Sequence, residues 1–482
     1  MEPEETGTST MVSFVGRLRG FFSAASILLA VSNLIFPRGS MPVVDYRLLN
    51  DQPSFELLHN VTNNNSNNNN TIILTNKNNN NDDDTSWRNS TTNDERCALC
   101  FFGLPRAYKD MVLPSIVENV LRPNVHHNCD VYVHFYEQYE EAAGRKNRGG
   151  TMNPREILLL ENATVMVYHQ HHEQQQQQRQ HQNEQQKGGN DRTTTTTTTS
   201  HRIPHVAFVN DTNAQFTEKR GSILHKYLST VGSDGKKVYF PWKAKTYKTS
   251  SLENIIKQWH SIDAVFQLME DSAKQQKIGY SRVGMFRSDV MYLTPIDIFV
   301  LDKGKIDAHN NHVVVAPFAR APINDRMVYG PYEAVKIWST KRFELVEERV
   351  QQNQEPGFVL HSERFLHGAV FPKIEAFSSS SSSSASGVGV GSSDDQKMII
   401  SFQTEINHDI CFIRVRADHS AMISDCNPMM SGSPGATRGW KKVDTAKLVE
   451  TIVDKNCTRF EMGHGWKFVG CRDGTDYQSS KP

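Results

Sequence analysis

The chain has no surplus charge of either sign: Lys plus Arg and Asp plus Glu are 53 each in 482 residues. It also lacks a basic stripe interleaved with aromatics, so neither a global nor a local field favours nucleic acid. Cysteine is scarce and odd in number, with Cys97, Cys100, Cys129, Cys411, Cys426, Cys457 and Cys471 making 7. No second CxxC accompanies Cys97 and Cys100, which argues against a zinc site. A strand would send these two to opposite faces, unlike a redox pair at a helix start. One or more disulfides among the last four cysteines suit a lumenal domain, with the connectivity open. The loop GLPRAY also lacks the Lys or Ser/Thr of a phosphate loop and offers Arg106 alone, which argues against a sulfotransferase-like enzyme.

Long uncharged apolar runs are missing too, except at residues 21–36. As a helix this run is about 24 Å long at ~1.5 Å per residue, and Arg17 and Arg19 can snorkel to extend it. A cleaved signal, a single-pass anchor and a core helix compete. The run ends in Leu34, Ile35 and Phe36 with no small-x-small site, and it largely lacks a polar face, so a signal anchor is favoured behind a short tail at 1–20. Arg17 and Arg19 in front, against Arg38 behind, place the N-terminus in the cytosol. The remainder would face the lumen of the Golgi or endoplasmic reticulum. Sequons at Asn60, Asn64, Asn69, Asn89, Asn162, Asn210 and Asn456 agree with that side, although an Asn-rich tract produces some of them by chance.

What remains divides clearly. Residues 41–94 are Asn-rich, poor in apolar side chains and unable to offset their ordering entropy; they read as a disordered stem. Residues 95–475 read as one α/β domain, interrupted by low-complexity insertions at 169–200 and 378–396 that belong in surface loops. His169, His171 and His172 in the first insertion read as solvated polymer. CALCFF from Cys97 is a buried strand, Pro114 opens a helix ended by Pro123, and CDVYVHFY from Cys129 is the next strand. This βαβ unit predicts a Rossmann-like, mainly parallel sheet flanked by helices. Ile255, Ile256, Trp259, Ile262, Phe266 and Met269 place one apolar stripe on a helix, with His260 on its surface. A strand from Tyr280, another at VVVAP (313–317) and a helix at 330–350 continue the alternation.

Ligands on such sheets lie beyond the carboxyl ends of the strands. That rule selects Arg106 after the first strand, Arg287 and Asp289 after the strand from Tyr280, Asn324, Asp325 and Arg326 after VVVAP, and His361 with Glu363 in LHSERF. Arginines match phosphate oxygens, and carboxylates are the hard ligands Mg²⁺ or Mn²⁺ prefers. Simpler roles exist for each: a surface ion pair for Arg287 and Asp289, a turn cap for Asp325 and Arg326, a helix start for Glu363. His464 in GHGW has no assignable partner.

CALCFFGLPRAYKDMVLPSIVENVLRPN..CDVYVHFY is similar to the opening of bacterial WavE-type surface-polysaccharide proteins. IIKQWHSIDAVFQLME, YSRVGMFRSDVMYLTPI, NDRMVYG and HSERFL resemble their later segments in the same order. The chain also resembles uncharacterised membrane-anchored algal proteins with this core. The resemblance covers about 97–420 and implies a GT-A-type glycosyltransferase fold, a nucleotide sugar as donor and a glycan or glycoprotein as acceptor. It implies nucleotide-sugar binding by Arg106, Arg287 and Asp289, and Mn²⁺ or Mg²⁺ at Asp289, where an Asp-x-Asp motif usually lies. Here Arg287 replaces the first carboxylate and Leu104 replaces a usual Gln. Asp325 or Glu363 would be the catalytic base of an inverting transfer. The alternative is a non-catalytic carbohydrate-binding or scaffolding protein that retains the fold, which the replacement by Arg287 supports.

Overall fold

The computed structural model describes residues 71–72, 96–142, 149–186, 202–317, 323–380, 399–422 and 441–442, with the strands Arg459–Met462, Trp466–Val469 and Tyr477–Gln478. The expected anchor, the stem apart from Thr71–Ile72, His464 and the sequons at Asn60, Asn64, Asn69, Asn89 and Asn456 lie outside the described residues. Among the described residues no helix is long and apolar enough to cross a membrane.

Strand β1 (Cys97–Gly103) is an unbroken apolar run because both of its faces are covered. Gly103 closes it at φ 106°, a conformation that favours glycine, and the chain turns into GLPR. Helical turns from Tyr108–Val112 to Val125–His127 make α1. It therefore begins six residues before Pro114 and passes through Pro123 rather than ending there. The reason lies in two wide π-turns, Tyr108–Val112 and Val117–Leu121, each just ahead of a proline. A proline cannot donate to the carbonyl four residues back. The carbonyl that Pro123 leaves free, on Asn119, accepts from the Ile296 N–H at 2.7 Å.

Next come β2 (Asp130–Tyr136), α2 (Leu159–Gln186) and β3 (Val206–Asp211). The insertion expected to loop out at 169 instead continues α2 as far as Gln186, consistent with the good helix propensity of Gln. The sequon Asn162 is exposed on α2, whereas Asn210 is half-buried in β3. Helix α3 (Asn213–Ser229) starts at a capping box: Thr212 Oγ1 accepts from Gln215 N and Gln215 Oε1 accepts from Thr212 N. Helix α4 (Thr249–Gln276) buries the predicted stripe, and Ile256, Trp259, Ile262, Phe266 and Met269 are each at most 1% exposed. Burial of a side chain of this size stabilises by roughly 1.5–3 kcal/mol.

Strand β4 (Arg282–Arg287), β5 (His312–Val315), β6 (Met327–Pro331), α5 (Tyr332–Thr340), α6 (Arg342–Gln351), α7 (from Ser362–Phe365 to Phe371–Glu375) and β7 (Gln403–Ile406) complete the order. The single helix expected at 330–350 is divided at Lys341, whose backbone leaves the helical range at ψ 1°. Across the sheet the strands run β3-β2-β1-β4-β6-β5-β7, with Thr71–Ile72 added antiparallel outside β3. Only β6 among the seven named strands opposes the rest. The expected mixed α/β architecture, a mostly parallel sheet flanked by helices, is what forms. The chain builds outward from β1 to β3 and then returns to place β4 on the other side of β1. That reversal makes β1 and β4 the topological switch point, where open α/β sheets place their ligands.

One face of β1, carrying Ala98, Cys100 and Phe102, packs with α4 and α5 around Trp259, Phe266 and Trp338. On the other, Phe101 meets Phe286, which meets Tyr292 of a smaller antiparallel sheet made by Val290–Tyr292, Phe412–Val415, Ser420–Met422 and Lys441–Lys442. Cys97 and Cys129 form a disulfide between the start of β1 and the approach to β2, while Cys100 is free and buried. Cys411 is also disulfide-bonded. The CxxC spacing therefore has no joint role, as the opposed faces of a strand require.

Candidate functional site

Three short connections carry the candidate residues to one edge. After β1, the Arg106 N–H turns back to the Leu104 carbonyl at 2.9 Å and α1 begins two residues later. After β4, Ser288 N bonds the Phe102 carbonyl at 2.9 Å, and Asp289 follows where the chain crosses into the smaller sheet. Strand β6 runs the opposite way, with Met327 opposite Phe286, so it is the start of β6 that reaches this edge. Arg326 thus lies beside Arg287, whose N–H donates to the Arg326 carbonyl at 3.0 Å. Asn324 shapes the turn into β6, its Oδ1 accepting from Arg326 N at 2.8 Å.

The side chains form a continuous charged row. Asp289 accepts two hydrogen bonds from Arg287, Nε to Oδ1 at 2.8 Å and Nη2 to Oδ2 at 2.7 Å, and a third from Arg106 Nη1. Arg106 Nε lies 2.9 Å from Glu141, and Arg416 reaches the same Glu141 oxygen at 2.5 Å. On the other side, Asp325 holds Arg326 at 2.6 Å and accepts from the Ser362 hydroxyl at 2.6 Å. Glu363 lies 3.3 Å from Arg326 and 3.5 Å from His361. The structure thus brings Arg106, Arg287, Asp289, Asp325 and Glu363 into one neighbourhood. The Arg287–Asp289 pair expected at the surface is formed but sits inside, with Asp289 only 3% exposed.

Burial alone would raise the Asp289 carboxyl, but Arg287 and then Arg106 outweigh it and hold the group well below the usual carboxylate range. Asp325 behaves likewise: burial opposes, Arg326 and Arg287 prevail. Burial also works against the Arg287 charge, and Asp289 with Asp325 more than restores it. Arg342, packed 4.0 Å above the Trp338 ring, is pushed down to about 9 by burial, with Asp325 partly opposing.

Glu141 and Arg416 are the members that sequence reasoning missed. Glu141 stands just past the carboxyl end of β2, so the strand-end rule would have found it. Arg416 comes from the smaller sheet, which no local pattern announces. The donor set does not fit a resident divalent cation at Asp289: both of its oxygens already accept from guanidinium groups, and among the described residues no His/Cys/Asp/Glu cluster that could hold a metal includes it. A shallow cleft lined by Ala107, Asp110, Asn153, Glu156, Ala417 and His419 opens beside Arg106 and Arg416.

A second polar cluster lies deeper. His260, expected on a helix surface, is buried and donates through Nε2 to Asp211 at 2.6 Å; His134 approaches the same oxygen at 3.2 Å. Lys219 takes the other Asp211 oxygen at 2.6 Å, Ser261 bonds His134 Nδ1 at 2.6 Å, and Arg220 donates to His260 Nδ1 at 3.2 Å. With those groups satisfied and an ammonium on the carboxylate, this cluster fastens β2 and β3 to α3 and α4. Comparison with known proteins gives no matching family model, no matching curated protein and no matching solved structure.

Proposed function

We propose that the chain is a GT-A-type glycosyltransferase that transfers a sugar from a nucleotide sugar to a glycan or glycoprotein acceptor. The observation that carries this reading is the meeting of Arg106 and Arg287 on Asp289 at the carboxyl ends of β1 and β4. Two guanidiniums oriented by one buried carboxylate, next to the cleft that opens beside Arg106, suit the negative charge that gathers on a departing nucleoside diphosphate. Arginine charge here does the work that a metal-bound Asp-x-Asp motif does in the resembled family. Glu363 is the better base for an inverting transfer, because it is more accessible than Asp325, whose depressed pKa makes it a poor proton acceptor. The Cys97–Cys129 disulfide and the bonded Cys411 suit an oxidising compartment, which supports a lumenal placement behind the N-terminal anchor.

A second reading, a carbohydrate-binding or scaffolding protein that retains the fold, draws on the arginines already occupying Asp289 and Asp325. Calorimetry with a panel of nucleoside diphosphates separates the two. The enzyme reading expects binding that Mn²⁺ does not strengthen and that Arg287→Ala weakens about tenfold or more, the scale of a charged hydrogen bond. No binding by the wild-type chain would favour the second reading. In a transfer assay with the donor so identified, equal turnover by wild type and Glu363→Gln would remove the base assignment.

A further inference from the structure

At the opposite edge of the sheet, just before β2, His126 and His127 occupy the last turn of α1 with their ring centroids 3.7 Å apart. Their Nε2 atoms address one carboxylate: His127 lies 3.1 Å from Asp297 Oδ1 and His126 lies 3.8 Å from Oδ2. All three offer ligand atoms within 4.8 Å of one another. A tetrahedral ion with bonds of about 2.0–2.2 Å spaces its ligand atoms about 3.3 Å apart, so small ring rotations would close the set.

The framework around these groups is built rather than incidental. Asp297 Oδ1 also accepts from the Phe299 N–H at 2.9 Å, and the Phe299 ring lies against His127 at 4.1 Å. The segment carrying Asp297 is fixed to α1 on both sides: Asn124 Nδ2 donates to the Ile296 carbonyl at 2.7 Å, and Asn124 Oδ1 accepts from Ile298 N at 2.9 Å. One side stays open, for the His126 side chain is 50% exposed. Two imidazoles and one carboxylate with an accessible fourth position are a ligand set for a borderline divalent ion, and water can complete it. Helix α2 passes alongside, Arg122 donating to Gln170 at 3.3 Å, which places His171 near enough to His126 to interact with it.

We propose that His126, His127 and Asp297 bind a divalent transition metal, Zn²⁺ by ligand type, which clamps the end of α1 to the segment leaving the smaller sheet. The proposal is independent of the glycosyltransferase reading, since these residues lie at the amino edge of the sheet. The Phe299 N–H holds the Asp297 carboxylate, and the Asn124 side chain holds the segment that carries it.

The test is a Zn²⁺ titration of the full chain by calorimetry, with Co²⁺ absorption as a second reading of ligand geometry. One Zn²⁺ per chain is expected at this site, weakened at least tenfold by His126→Ala and by Asp297→Asn, with the tetrahedral Co²⁺ bands lost in both. His126 is half-exposed, so its replacement leaves the fold intact, and circular dichroism checks this. Zn²⁺ should also raise the wild-type Tm by a few degrees and leave that of His126→Ala unchanged. Wild-type affinity and Co²⁺ bands in His126→Ala would overturn the proposal. So would a loss confined to a His171→Ala, His172→Ala variant, which would move the binding to the Gln-rich helix.

Discussion

Asp289 holds two guanidiniums in a space that largely excludes water, so its removal costs more than the bonds it makes. Asp289→Asn should lower stability at neutral pH by about 3 kcal/mol, because buried Arg287 and Arg106 would lose their shared counter-charge and keep only Asp325 and Glu141 respectively. The same pairing sets the acid response. The folded pKa values of Asp289 and Asp325 lie below the unfolded carboxylate value of about 3.9, so the stability they supply is complete above about pH 5. It is lost as the pH falls through the unfolded value toward the folded ones, with the loss starting near about pH 5. Denaturant midpoints measured down to low pH should fall over this window in wild type and fall less in Asp289→Asn; parallel curves would show that the carboxylate is not the titrating group. Arg106, Arg287 and Asp289 were legible because they stand at or shortly after the carboxyl ends of β1 and β4; Asp325 follows VVVAP in sequence, but it reaches the edge through the start of β6. Arg416 was not legible, since its approach to Glu141 bridges 275 positions, and no local spacing encodes a contact of that range.

At the level of elements, apolar patterning predicted α4 and the strands β1, β2, β4 and β5, because their apolar spacing is a direct image of burial, but it gave no expectation of β3, β6 or β7. It failed where hydrogen bonding, rather than burial, decides. Two prolines read as helix boundaries lie inside α1, which admits them through π-turns. Asn124, in the last turns of that helix, reads as an ordinary polar residue yet is 1% exposed and bonds Val120, Ile296 and Ile298. Asn124→Leu should cost roughly 3 kcal/mol, the sum of several unmet backbone partners at about 1 kcal/mol each. Urea unfolding measures it, and a change under about 0.5 kcal/mol would mean that water replaces the lost bonds. The polar residues that hold the segment from Tyr292 to Ile298 gave no periodic signal at all, because a single satisfied amide has none.

For the whole molecule, the alternation of strand and helix was enough to foresee a mostly parallel sheet, but not the reversed direction of β6 that delivers Asp325 and Arg326 to the site. The Cys97–Cys129 bond was equally hidden, since pairing depends on β1 and β2 lying side by side. It closes a sequence separation of 32, for which chain entropy gives about 3–4 kcal/mol. Reduction should therefore lower Tm, and scanning calorimetry with and without reductant checks this.

The length of α2 has another consequence. Its 28 residues span about 42 Å at ~1.5 Å each, while the seven residues of β2 span about 23 Å. The Gln-rich turns therefore run past the amino edge of the sheet. The Ser-rich tract leaves and rejoins the chain at the Ser378–Ser380 and Ile399–Ser401 pair, next to the amino end of β7. Both tracts are rooted on the side remote from the charged row. If the proposed nucleotide binding holds, variants that gain or lose a few Gln or Ser there should match wild type in calorimetry with nucleoside diphosphates, because neither root meets the charged row beyond β1 and β4.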